Sequence, residues 1–435
     1  MVAMVAIVGL TWLSALASAA AEPSVSRSED VLRGWYKLTL ALIRHTPTYS
    51  PPVASRSLAY LGVTAFEAVA SGDAELRSLA GQLNGLTAPP PREAGKTYDD
   101  AMVLEAALAF AVESLFSNTG PTGQRAMAAL EDKLRAEVGA PVPADVAARS
   151  EAYGHSVGEH ILTWSRDDGG AVVENMGFPL EYKLAKGPAH WAPTSMIAQQ
   201  QAPLLPDWGK NRTIATPNGA TCALPPPLEY SEDTNSEFYK QALEVYQTSK
   251  SLTQEQHDIA RFWADDAMLS VTPPGHWISI ALQILAHEDA SLAKSVDVLA
   301  RVGVAVSDAF VGCWYGKFQY DLVRPATYIR RVIDPKWEPL LITPPFPEYP
   351  SGHSTQTAAA AVVLTRLFGE NFAFQDMTDR SDGLPPRSFP SFWAAAEEAG
   401  ISRLYGGIHF RAAVERGLDQ GRCIGEYVNA LRTWR

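Results

Sequence analysis

Five charged or ligating side chains recur at spacings that a plain helical core does not require. Lys317 and Arg324 stand seven residues apart in KFQYDLVRP. Seven residues are two helical turns, so both cations can point one way, although Pro325 pushes Arg324 out of helical geometry. The segment TPPFPEYPSGH, Thr343 to His353, runs into an alanine-rich apolar stretch that reaches Leu367. Its prolines force an extended loop that stops where a helix begins. Ser351 then falls near the N-cap, Gly352 lets the backbone approach a ligand, and the first-turn amides offer an anion site into which His353 projects. Arg403 and His409 lie six residues apart in SRLYGGIH. A continuous helix would place them on different faces, but Gly406 and Gly407 can break the path and bring both to one pocket.

Each segment alone has a plain structural reading: a solvated stripe, a capped helix, a helix break. Together they concentrate cations against an unfavourable field, because 36 Lys and Arg face 48 Asp and Glu, a net charge of -12. That balance argues against a nucleic-acid surface and requires an anion site to be built locally.

The elements that must position these residues read as helices. Apolar residues recur three and four apart in Val31, Trp35, Leu38 and Leu42, in Leu58, Leu61, Ala65 and Val69, and in Leu104, Leu108 and Leu115. Pro51 and Pro52 precede the second run, and Asp145 is placed to cap a helix over 146–164. Helices resume over 236–246, 254–268, 276–287 and 293–314, with no useful strand alternation, so the expected fold class is all-α. The organisation expected is an N-terminal helical half over 28–174, an irregular proline-rich connection over 175–235, and a helical domain over 236–435 that carries the site. With 46% hydrophobic and 19% charged residues, the chain is neither mainly disordered, collagenous nor multi-spanning.

The first 21 residues carry no charge and end in small residues. They read as a secretory signal peptide, or as a membrane anchor if retained, which places the body in a secreted or periplasmic setting. Cys222, Cys313 and Cys423 allow at most one disulfide and no thiolate metal site.

In this order, Lys-x6-Arg-Pro, Pro-Ser-Gly-His and Ser-Arg-x5-His resemble the signature of the superfamily joining vanadium-dependent haloperoxidases and type 2 phosphatidic acid phosphatases. The likeness covers roughly Phe262 to Arg435. It looks closest to the soluble, secreted chloroperoxidase-like branch, because Trp314 lies three before Lys317, Phe346 lies seven before His353, and a long helical half precedes the motifs.

The resemblance implies a helical-bundle fold and a vanadate cofactor. Lys317, Arg324 and Arg403 would neutralise its equatorial oxygens, with Ser351 and the Gly352 amide as neutral donors. His409 would bond the vanadium axially, and His353 would hold the opposite apical oxygen and shuttle protons in halide oxidation by hydrogen peroxide. Trp314 and Phe346 would shape the pocket, Phe346 favouring a chloroperoxidase-like one. The alternative is a secreted acid phosphatase without a cofactor, in which His409 attacks phosphorus of a phosphate ester and His353 protonates the leaving alcohol. A non-catalytic oxyanion binder would have little need of two opposed histidines.

One position departs from the pattern. The family commonly has an Asp four residues after the axial His, where this chain has Ala413. The group that orients His409 is left open between a backbone carbonyl and Glu415. Asp265 and Asp266 are left open between a solvated acidic face and one carboxylate buttressing Arg403, and His276 is read as packing near the entrance.

Overall fold

The computed structural model describes residues 27–195 and 202–435; the uncharged run over 1–21 lies outside them. Five helices open the described chain: α1 (Arg27–Arg44), α2 (Pro51–Ala70), α3 (Asp100–Leu115), α4 (Pro121–Gly139) and α5 (Ala144–Ser165). An irregular crossing with two short 3-10 turns, Asn175–Gly177 and Trp208–Lys210, leads to α6 (Glu237–Lys250), α7 (Gln254–Phe262), α8 (Thr272–His287), α9 (Leu292–Tyr320), α10 (Pro325–Val332) and α11 (Gly352–Phe368). Strand β1 (Phe374–Asp376) pairs antiparallel with β2 (Arg387–Phe389), and α12 (Phe392–Tyr405) and α13 (Arg411–Asn429) close the chain.

The protein is all-α but for that three-residue ladder, too short for an alternation to be legible. Pro51 and Pro52 form the first turn of α2 rather than preceding it, since their missing amide donors cost nothing there. Asp145 sits inside the first turn of α5 and caps nothing; its carboxylate can complement the helix dipole, while Pro143 holds the cap position. Helix α7 ends at Phe262, six residues before the expected end, because Asp265 and Met268 turn the backbone left-handed at φ 51° and 70°. Helix α9 runs on to Tyr320, so Lys317 occupies its last turn.

Helix α9 is buried along most of its length. Small residues let α2 lie directly on it: a Cβ on Gly62 would come 2.9 Å from the Ala300 Cα, and one on Gly303 would come 3.0 Å from the Ala59 Cα. The apolar core runs without a break from Leu58 and Val103 in the first half to Trp314 and Ala360 in the second. The disulfide Cys222–Cys423 ties the crossing to α13, and the neighbouring Gln420 amide donates to the carbonyls of Cys222 and Gly312. Among the described residues no helix is long and apolar enough to cross a membrane.

Helices α11 and α13 meet most tightly at Gly421, where a Cβ would lie 2.1 Å from the Thr355 carbonyl oxygen. Backbone cannot rotate away as a side chain can. Gly421→Ala is therefore expected to cost at least about 1–3 kcal/mol, read as a lowered urea midpoint; an unchanged midpoint would show that the two helices separate freely.

Candidate active site

Four local structures bring the motif residues together. Lys317 ends α9, and the left-handed Asp321 turns the chain away just beyond it. Arg324 holds the N-cap position of α10 with φ -76° and ψ 153°, the extended conformation a residue before proline adopts. The proline-rich loop delivers Ser351 to the N-cap of α11, where its hydroxyl accepts from the Ser354 amide at 3.3 Å. Helix α12 carries Arg403 in its last turn, and Gly407, at φ +75°, turns the chain so that His409 returns beside Arg324.

Gly352, His353, Arg403, His409, Trp314 and Phe346 all line one cavity of about 380 Å³. Lys317, Arg324 and Ser351 do not line it; they are fully buried in the wall behind. Arg324 bridges the two layers. Its Nη1 donates to the Ile408 carbonyl at 2.8 Å and to Nε2 of His409 at 3.1 Å, and its Nε donates to the Phe346 carbonyl at 2.8 Å. Lys317 uses all three ammonium hydrogens on the carbonyls of Pro347, Glu348 and Pro350, at 2.8, 3.1 and 2.5 Å. It therefore lends charge to the site rather than a free donor. Arg403 is held by the carbonyl of Trp263 and the Ser402 hydroxyl.

The orienting group for His409 is Glu348. Its Oε1 accepts from Nδ1 of the imidazole at 2.8 Å and from the Phe410 amide at 2.9 Å. Neither Glu415 nor a backbone carbonyl takes that place, and Ala413 serves only through its carbonyl, which accepts from the Ser351 amide at 3.0 Å. With Nδ1 as the donor and Nε2 accepting from Arg324, the ring is neutral and its Nε2 lone pair faces the cation cluster. Glu348 is the one carboxylate in the proline-rich segment. That was the available signal, but nothing in the spacing ties a loop residue to a histidine 61 positions on.

Burial governs the charges. It draws Lys317 down to about 7 and both Arg324 and Arg403 down to about 10. Burial, then the charges of Arg324, Lys317 and Arg403, hold His409 well below the usual imidazole range. Burial lifts Glu348 to about 7, and burial followed by the Arg403 charge lowers His353 to about 4. Lys317 and Arg324 share a single carboxylate, so the floor of the site carries excess positive charge.

That arrangement fits a tetrahedral oxyanion. Nη2 of Arg324 is buried with no partner, and an unmet guanidinium donor is costly unless a ligand accepts from it. A Cβ on Gly352 would meet the Trp314 ring only at 3.6 Å, an ordinary contact. Protein packing does not demand glycine there; its missing side chain keeps the cavity wall open.

The charges of Asp265 and Asp266 both favour the Arg403 cation, so the acidic pair does buttress it, but Asp265 makes no hydrogen bond to Arg403; it faces His276 at 2.8 Å and His353 at 3.6 Å. His276 does not pack near the entrance but is wholly buried between Asp265 and Asp376.

Residues 297–433 match the family described as the VCPO second helical-bundle domain. Over nearly the whole molecule, the chain is 38% identical to a solved bacterial vanadium-dependent iodoperoxidase, with a TM-score of 0.85 and coverage of 93% of this chain and 97% of that one. The chain belongs to the vanadium-dependent haloperoxidases. It is 25% identical over 360 residues to the vanadium chloroperoxidase of Curvularia inaequalis, a match spanning 64% of this chain and 58% of that protein. A bacterial vanadium-dependent chloroperoxidase in its apo form shares the fold, at 16% identity and a TM-score of 0.67 over 88% of this haloperoxidase and 94% of its own chain.

Proposed function

We propose that this haloperoxidase holds vanadate in the cavity and oxidises halide with hydrogen peroxide, releasing hypohalous acid. The observation that carries the reading is the Glu348–His409–Arg324 chain, which fixes a neutral imidazole with its Nε2 lone pair at the mouth of a buried cation cluster. His409 Nε2 would bond the vanadium; Arg324, Arg403 and the Gly352 amide would hold the oxygens, and Lys317 would neutralise their charge from behind. When bound, vanadium(V) acts as a Lewis acid that activates peroxide toward halide without changing its own oxidation state.

The protein's own work is proton handling and water exclusion. His353 turns Nε2 toward Asp265, leaving Nδ1 for the cavity. There it takes a proton from incoming peroxide and returns it to the oxygen that leaves as water, while the one further proton that forming hypohalous acid and water from peroxide and halide consumes comes from solvent. Trp314 and Phe346, with ring centres 4.8 Å apart, wall the floor, and Lys317 and Arg324 sit 5.0 and 4.9 Å from the Phe346 ring centre. Phe346 brings no hydrogen bond to a halide, and a lone aromatic weighs less than likeness over the whole chain. We take iodide, the most easily oxidised of the three common halides, as the first substrate, with bromide and chloride following in order. Secretion is the setting we infer, supported by the uncharged N-terminal run and by the Cys222–Cys423 disulfide.

The test uses protein purified without phosphate. Addition of orthovanadate is expected to confer peroxide-dependent oxidation of iodide. Hydrolysis of p-nitrophenyl phosphate that vanadate only inhibits, with no halide oxidation, would make the protein a phosphatase instead. Because His353 must be neutral to accept a proton, and its value lies near 4, halide oxidation should persist from neutrality into mild acid and fall as pH drops through that value. A rate lost already at pH 6 would assign the proton to another group.

A further inference from the structure

His276 is the most tightly held histidine of the described chain. Its Nδ1 lies 2.8 Å from Oδ1 of Asp265 and its Nε2 lies 2.8 Å from Oδ2 of Asp376, and all three side chains are wholly buried. Carboxylate oxygens only accept, so both ring nitrogens carry hydrogen and the ring is an imidazolium. Trp263 stacks on it with ring centres 4.7 Å apart and planes 23° apart, the placement that suits a cation. The other oxygen of Asp265, Oδ2, is buried without a partner and points at Nε2 of His353, which is also unpartnered, across 3.6 Å. That gap is just beyond hydrogen-bond length, and a small movement of His353 closes it.

We infer that His276 and Asp376 are positioning residues for proton transfer: the buried chain Asp376–His276–Asp265 fixes one carboxylate oxygen against the distal nitrogen of His353 and so sets that histidine's tautomer and basicity. Neither His276 nor Asp376 lines the cavity, and neither touches a reacting group. The active-site loop holds the chain together. Helix α7 ends early so that the left-handed Asp265 can turn inward from the 263–271 segment, α8 supplies His276 as its fifth residue, and β1 supplies Asp376 as its last residue. The Asp376 carboxylate is in turn held by the Thr378 amide at 2.9 Å.

The charges that bear on His353 come from each surrounding element: Asp265 on the loop, Arg403 on α12, His409 beyond it, and His276 on α8. Around His276 stand Asp265, Asp376 and Asp379, the last lifted to about 7 by burial and by Asp265. A divalent metal among Asp265, His276 and Asp379 is disfavoured by this bonding, since both imidazole nitrogens are already engaged.

The part assigned to His353 rests on the haloperoxidase reading, but the arrangement can be tested without turnover. In vanadate-free protein labelled with nitrogen-15 at the histidine rings, His276 is expected to show two protonated nitrogens throughout pH 5–9. Removing the positive charge in His276→Gln leaves Asp265 unopposed and should raise the His353 midpoint by about one pH unit. Asp376→Asn, which keeps the side chain's shape and removes a negative charge, should lower it. The acid limb of halide oxidation should move with each variant in the same two directions. A His276 ring with one bare nitrogen, or a His353 midpoint that neither variant moves, overturns the inference; a purely structural role predicts lower activity at every pH with the limb unmoved. If His276→Gln does not fold, the Asp376→Asn midpoint and the His276 signals of the parent protein decide. Opposed shifts in protein that oxidises no halide would leave the positioning standing and sink the haloperoxidase reading alone.

Discussion

His409→Ala is expected to abolish vanadate-dependent halide oxidation, a loss greater than the roughly 10²–10³-fold that follows removal of a single oxyanion donor. The imidazole presents a neutral Nε2 lone pair to the cation cluster, and Arg324 already donates to that atom. Its removal also strips Glu348 of one of its two donors, leaving the Phe410 amide, so a stability loss of about 1–3 kcal/mol should accompany it. Circular dichroism would show that the variant folds, and equilibrium dialysis with orthovanadate would show that it no longer binds the anion. Turnover within tenfold of the parent enzyme would remove His409 from the site.

Glu348→Ala is expected to weaken vanadate binding by about 10–100-fold, the usual cost of losing the partner that orients a metal-binding histidine. Glu348→Gln should fall between, because an amide oxygen can still accept from the His409 ring and the Phe410 amide while the negative charge is lost. An alanine variant that binds as tightly as the parent would mean the ring is fixed by other contacts. The same residue leaves a mark on the vanadate-free protein. Burial holds the folded carboxyl near 7 against an ordinary 4.5, so between those values the unfolded chain binds fewer protons than the folded one. Stability contributed by this group therefore falls as pH rises from about 4.5 to about 7, and Glu348→Gln should flatten that slope in urea unfolding measured across the window.

How much of this was legible differs from residue to residue. Ser351 capping α11, Arg324 extended before Pro325 and the turn at Gly407 all follow from backbone preferences within a few residues, and such preferences are written locally. The end of α7 was misplaced because the apolar and polar pattern through Asp266 is still compatible with a helix. What breaks the helix is the inward turn of Asp265 toward His276, a tertiary demand that no window of sequence contains. Asp145 failed as a cap for a smaller reason: Pro143 already supplies the extended conformation two positions earlier than the carboxylate required.

The sequence by itself determined that the protein is helical, that Lys317, Arg324, Ser351, Gly352, His353, Arg403 and His409 form one set, and that they resemble an oxyanion site, because residue type and spacing along a helix or loop are properties of the chain. Only the tertiary structure decided which of those side chains reach the cavity and which lend charge from behind it, as Lys317 does with every donor engaged by carbonyls. It also decided who their partners are. Glu348 reaches His409 across 61 residues and Asp376 reaches His276 across 100. Such pairings are set by how α8 and α11 pack on α9 and α12 on α11, and a buried acid that must find a donor takes whichever one the packing brings within hydrogen-bond distance.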